Sequence, residues 1–333
     1  FYQGGSSVPL NANGEVFLYR AVEKVEPGHF PLNQKDLGSC VAFGHAAGCD
    51  VLLAIDVVMG KSTKFMRASP DSMYGGMRNE AYGRTSHSYA DGSNGRAATT
   101  WLKNYGVIYQ QPYSVTYKDG TRETIDLTTY DVNRTREWGA WGNGGRKDGI
   151  NGPFDMEAKR HPIKDAVLVR TLEELVAALK NGFPVTICSG QGFTTTRDRD
   201  GFCRPSGSWS HCMVIVGMRL GSRPGFLILN SWGNSWVSGP KYMDQPDGSF
   251  YAEPYVVARI LKAGDSYALS GQTGFEKKLL PFWMTEATAQ VTYDEEVDND
   301  ADQAVESERK PYLGTDGKWY FIDDRGRVLR WDE

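Results

Sequence analysis

The stretch Gly38-Ser39-Cys40, followed by apolar or small residues from Val41 to Met59, constrains this chain more than any other. Ala42-Phe43, Ala46-Ala47, Val51-Leu52-Leu53, Ile55 and Val57-Val58 predict a helix buried on several sides. Cys40 then stands at the helix N-terminus, where unpaired N–H groups and the helix dipole favour a thiolate. Gly38-Ser39 turns the chain, and a serine oxygen at Ser39 can accept from first-turn amides as a cap. Gln34 lies six positions ahead of Cys40, enough chain to loop back and present its amide beside the sulfur.

Two downstream segments supply what such a cysteine would need. Ser210-His211-Cys212-Met213-Val214-Ile215-Val216-Gly217 predicts a buried strand beginning just after His211. Phe226-Leu227-Ile228-Leu229 predicts the next strand, ending at Asn230-Ser231-Trp232-Gly233-Asn234-Ser235-Trp236. A hairpin of these strands brings His211 and Asn230 to one end of a sheet, an order that suits a nucleophile, a base and a group that orients the base. Each residue also has a plainer reading. Buried cysteines are common in cores, a histidine at a strand start can be a satisfied structural group, and asparagine before Ser-Trp-Gly can be a turn residue.

In combination, Gln34, Gly38-Ser39-Cys40, Ala42-Phe43, His211 and Asn230-Ser231-Trp232-Gly233 resemble the motifs of papain-like cysteine peptidases, in the family order. The resemblance implies an α+β, two-lobed fold, with a helical lobe carrying the catalytic cysteine and a β-barrel-like lobe carrying histidine and asparagine. It implies catalytic roles for Cys40, His211, Asn230 and Gln34, with Ser39 and Trp232 in support, Trp232 shielding the histidine–asparagine bond from water. Matching Tyr105-Gly106-Val107 to the family's Tyr-Gly-Ile places Gly92 and Ser93 on the substrate cleft, and Ser210, just before the histidine, at a specificity pocket. Neither metal nor organic cofactor is required. The chain departs from the family at Leu37 and near Ala90, where a disulfide is missing, at Val41 in place of tryptophan, and at Ser93 in place of glycine.

A chain of 333 residues with 40% hydrophobic and 23% charged residues fits a globular protein of one large or two ordinary domains. The net charge of −4 argues against a nucleic-acid surface, and no uninterrupted apolar run reaches the ~18 residues of a membrane span. Cys40, Cys49, Cys188, Cys203 and Cys212 are odd in number and show no metal-ligand spacing, so at least one thiol is free. A reducing or disulfide-free setting fits this usage, and a bridge among Cys188, Cys203 and Cys212 stays open. The chain divides into residues 1–290 as the peptidase-like domain, an acidic linker at 291–310, and a β-hairpin at 311–333.

Ser69-Pro70 and Thr171 with Glu174 predict two further helix starts. The charged, glycine-rich segment 118–156 reads as a surface loop, a lid or a partner contact, and the C-terminal hairpin is a second place for a protein partner. The expected activity is hydrolysis of a peptide or protein substrate through an acyl-enzyme. Two rivals stand beside it: a non-catalytic structural or adaptor subunit that keeps the fold, and a relative that passes the acyl group to an amine.

Overall fold

The computed structural model describes residues 15–81, 91–117, 120–141, 153–221, 223–271, 274–275, 278 and 280–285, with three short strands nearer the C-terminus. After a two-residue strand β1 (Val16–Phe17) come the helices α1 (Tyr19–Val25), α2 (Cys40–Val58), α3 (Pro70–Gly76) and α4 (Gly95–Tyr105). Their boundaries follow local chemistry. The Ser69 hydroxyl accepts from the Ser72 N–H at 3.3 Å with Pro70 in the first turn, and Asn94 Oδ1 accepts from the Ala97 N–H at 2.8 Å. Gly106, with φ 95°, stops α4 in a conformation that a side chain would strain.

The long α2 is the axis of the molecule. At 19 residues it meets the length and composition of a membrane-crossing helix, contrary to the sequence expectation, yet most of it is buried inside the fold. Polar residues share that burial. His45 and Asp50 find partners in Val41 O and in the Ala68 N–H, at 2.8 and 2.7 Å. The helix is therefore a core element packed from several directions.

Segment 118–156 departs from the loop expectation. It continues a hairpin of β2 (Pro112–Thr116) and β3 (Arg122–Asp126), then forms α5 (Val132–Trp141) and, from residue 153, α6 (Pro153–Arg160). Asp71 on α3, fully buried, holds the start of α5 by accepting from the Asp131 N–H, Arg134 Nε and Thr135 Oγ1 at 3.2, 3.0 and 2.9 Å. Burial nevertheless pushes the Asp71 carboxyl above its ordinary value, against the opposing pull of Arg134.

The second half is a sheet with helices α7 (Leu172–Lys180) and α8 (Pro254–Lys262) against it. Thr171 and Glu174 form the reciprocal cap that opens α7, as expected. The strands are β4 (Asp165–Leu168), β5 (Val185–Phe193), β6 (Pro205–Arg219), β7 (Gly225–Leu229), β8 (Ser249–Ala252) and β9 (Ser266–Ser270). They run antiparallel in the order β4-β9-β5-β6-β7-β8, with β1 added to β6. β6 does not begin after His211 but six residues before it. What changes at His211 is burial, since the mostly exposed half of the strand gives way there to a wholly buried half. One hydrophobic cluster joins the halves, from Trp101 and Val41 through Ile215 to Leu227 and Val257.

Near the C-terminus the expected hairpin gains a strand. β10 (Pro311–Leu313), β11 (Trp319–Ile322) and β12 (Val328–Arg330) make a three-stranded antiparallel sheet. The proposed linker at 291–310 lies outside the described residues.

Candidate active site

Helix α2 abuts β6 at close range. A Cβ added to Gly44 would stand 3.1 Å from Cys212 Sγ and 3.3 Å from Met213 O, so any larger residue would push the helix and strand apart by a few tenths of an ångström unless a neighbour gives way. The approach puts Cys40, the first residue of α2, against the part of β6 that carries His211. The backbone N–H of Cys212, the residue after His211, stands near enough to the Cys40 sulfur to favour its anion.

The histidine is held from the other side. His211 Nε2 lies 2.7 Å from Asn230 Oδ1, and the same oxygen accepts from the Ser231 N–H at 2.7 Å. An amide oxygen can only accept, so Nε2 carries the hydrogen and Nδ1 keeps a lone pair for a proton. The ring packs on Trp232 with centroids 4.4 Å apart, and Trp209 packs on Trp232 at 4.7 Å. His211 and Asn230 are both nearly closed to solvent. Trp232 therefore covers the His211 ring, and Trp209 packs behind it. Trp209 was legible in principle, because a residue two positions before His211 on a strand shares its face.

Burial sets the resting charge state. It pushes the Cys40 thiol up to about 11, against the pull of the Cys212 and Val41 N–H groups. It pushes His211 down to about 4, against the Asn230 hydrogen bond. Among the described residues, no hydrogen bond joins the Cys40 sulfur to the His211 ring. The resting pair is therefore a neutral thiol and a neutral imidazole, where the helix N-terminus alone suggested a thiolate. The dipole favours the anion by a few tenths to about 1 kcal/mol, less than the cost of desolvating it.

Gln34 is fixed by the residue that follows Asn230. Ser231 Oγ donates to Gln34 Oε1 at 2.6 Å, the Gln34 N–H donates to Ser231 O at 2.7 Å, and Gln34 Nε2 donates to Leu37 O at 2.8 Å. A second hydrogen on Nε2 is left over. Gln34 is thus tied to the segment that carries Asn230, a link that their distant positions in sequence do not reveal.

Ser39 occupies the cap position of α2 but makes no capping hydrogen bond, which corrects the expectation. Its hydroxyl lies 3.2 Å from Tyr130 Oη, and Tyr130 Oη donates to Gln34 O at 3.1 Å. The Tyr130 ring meets Phe43 edge-on at 4.8 Å. Tyr130 precedes α5 within segment 118–156, so that segment braces the turn before Cys40. No motif in the sequence singles it out.

The proposed cleft residues divide. Asp91 Oδ2 accepts from the Gly38 N–H at 2.6 Å, and Asp91 Oδ1 accepts from Tyr74 Oη. These bonds bring Gly92 and Ser93 beside the Gly38–Cys40 turn, with Arg78 Nη1 donating to Gly92 O at 2.5 Å. The Asp91 bond ties the Gly38 turn to the segment that precedes α4. Ser93 Oγ is buried with no hydrogen-bond partner among the described residues. Ser210 is exposed next to His211 on β6. Leu37 is buried, and all five cysteines are free. No group of residues able to hold a metal ion occurs among the described residues.

No protein-family model and no curated protein sequence matches the chain. Solved structures do. Xylellain, a cysteine protease from Xylella fastidiosa, is similar at TM-score 0.50 and 18% identity over 80% of this chain and 90% of that one. Digestive procathepsin L 3 of the Tenebrio molitor larval midgut is similar at TM-score 0.46 and 17% identity, covering 80% and 72%. The bromelain protease of Ananas comosus follows at TM-score 0.45 and 14% identity, covering 77% and 98%. The chain has the mixed helix-and-sheet fold of the papain-like cysteine proteases.

Proposed function

We propose that the protein is a cysteine peptidase that cleaves peptide bonds through an acyl-enzyme on Cys40. The observation that carries this reading is the His211–Asn230 hydrogen bond under Trp232, formed on the strand whose next N–H meets the Cys40 sulfur. His211 Nδ1 takes the thiol proton as Cys40 attacks the substrate carbonyl, then passes it to the leaving amine. Water enters and is activated by the same nitrogen to release the acyl group. The Cys40 N–H and the free hydrogen of Gln34 Nε2 stabilise the oxyanion. Asn230 keeps the ring in the tautomer that leaves Nδ1 as the base.

The burial-raised thiol favours the rival reading of a non-catalytic subunit, because a protonated cysteine is a poor nucleophile. An epoxide thiol probe, read out by mass spectrometry on wild type, His211→Ala and Gln34→Ala, separates the two. Modification confined to Cys40 among the five cysteines and lost in His211→Ala supports the peptidase. Labelling of Cys40 no faster than that of Cys49 or Cys188 supports the subunit. A product that appears only with added amine would reassign the enzyme to acyl transfer.

A further inference from the structure

Cys188 on β5 and Cys212 on β6 stand directly opposite each other in the antiparallel register. The Cys188 N–H donates to Asp265 O at 3.1 Å, on the β9 side of its strand. A residue's N–H and C=O point the same way across a strand, so both groups of Cys188 face away from β6. The two cysteines are therefore a non-hydrogen-bonded pair, the class whose Cα atoms lie about 4.5 Å apart with side chains closest. That span is one a disulfide bridges. The sulfurs are 2.7 Å apart. Cys188 is half-buried, while Cys212 is buried under Gly44 of α2.

We propose that Cys188 and Cys212 are a reversible thiol–disulfide site beside Cys40 but not including its sulfur, closed by a low-molecular-weight disulfide of the glutathione type. The Cys188 thiolate attacks one sulfur of the reagent, whose S–S bond breaks. The first glutathione leaves as a thiolate and takes up the proton Cys188 lost. The Cys212 thiolate then attacks the Cys188 sulfur, expelling the second glutathione, which takes up the Cys212 proton. The protein loses two hydrogens and the reagent gains them. Neighbouring residues on a strand face opposite ways, so the bridge forms on the α2 face of β6 while the His211 ring stays on the Trp232 face. Closure staples the His211 strand to β5 without requiring the ring to move.

The test is treatment of the full chain with glutathione disulfide at neutral pH, then alkylation, digestion without reductant and mass spectrometry. The expected product is a linked peptide pair carrying Cys188 and Cys212, two hydrogens lighter than its parts and lost on adding dithiothreitol. Cys40 remains alkylatable, and the melting temperature rises on oxidation and falls on reduction. Cys188→Ser abolishes the linked pair. A stable glutathione adduct on Cys188 with Cys212 still free, or a link from Cys40 to either residue, overturns the proposal. The crosslink is read on the wild-type chain and uses no catalysis, so it fails or holds independently of the peptidase reading.

Discussion

In the proposed mechanism Gln34 has two jobs, oxyanion donor and structural link, that one substitution separates from general folding. Its carbonyl oxygen is taken by Ser231 Oγ and one amide hydrogen by Leu37 O, which leaves a single oriented hydrogen for an oxyanion. Gln34→Ala should lower kcat on a peptide substrate by 10²- to 10³-fold, about 2.7–4 kcal/mol, with a small change in KM. Ser231→Ala removes the group that holds the amide and leaves Gln34 Oε1 buried and unpaired, so it should show a weaker loss in the same parameter. Steady-state kinetics of both variants checks this. An unchanged kcat in Gln34→Ala would make the amide a structural link between the turn and the Asn230 segment.

At the scale of elements, local signals were read well and long-range ones were not. The caps at Ser69 and Thr171, the start of α2 at Cys40 and the pairing of β6 with β7 are all encoded within a few residues. The cysteine, histidine and asparagine came from the same local motifs. The failures were tertiary. Serine at position 39 predicts a cap, because serine there commonly caps, yet its hydroxyl turns to Tyr130, ninety-one residues away. Segment 118–156 reads in sequence as a surface loop, a lid or a partner contact, because its polarity and glycines mask a short helix whose anchor, Asp71, lies far upstream. If that segment braces the catalytic turn, Tyr130→Phe, which keeps the ring and deletes the hydroxyl, should cost about 1 kcal/mol. It should also speed hydrogen exchange at the Gln34 and Gly38 amides. Asp71→Ala should release residues 127–141 to proteolysis and speed the same amides. Unchanged exchange in both variants would separate the segment from the site.

Across the whole molecule, two buried histidines are kept neutral by the interior, and one of them, His45, links the helical half to the sheet. His45 on α2 is fully buried, with Nδ1 2.8 Å from Val41 O and Nε2 3.2 Å from Thr186 Oγ1 on β5. Burial pushes it down to about 4, as it does His211. In the unfolded chain both titrate near 6.5. Between those values the unfolded state binds more protons than the native state, so stability rises with pH from about 4 to 6.5 and falls on acidification through that window. Each histidine contributes on the order of 3 kcal/mol that is present at neutral pH and absent below about pH 4. Urea unfolding at a series of pH values should therefore show a steep loss below pH 6.5. His45→Gln keeps a polar side chain at the lobe junction and cannot titrate, so it should lower stability at pH 7 while making that slope shallower. A slope identical to wild type would mean that His45 is solvated and protonated in the native protein, and that the α2–β5 junction admits water.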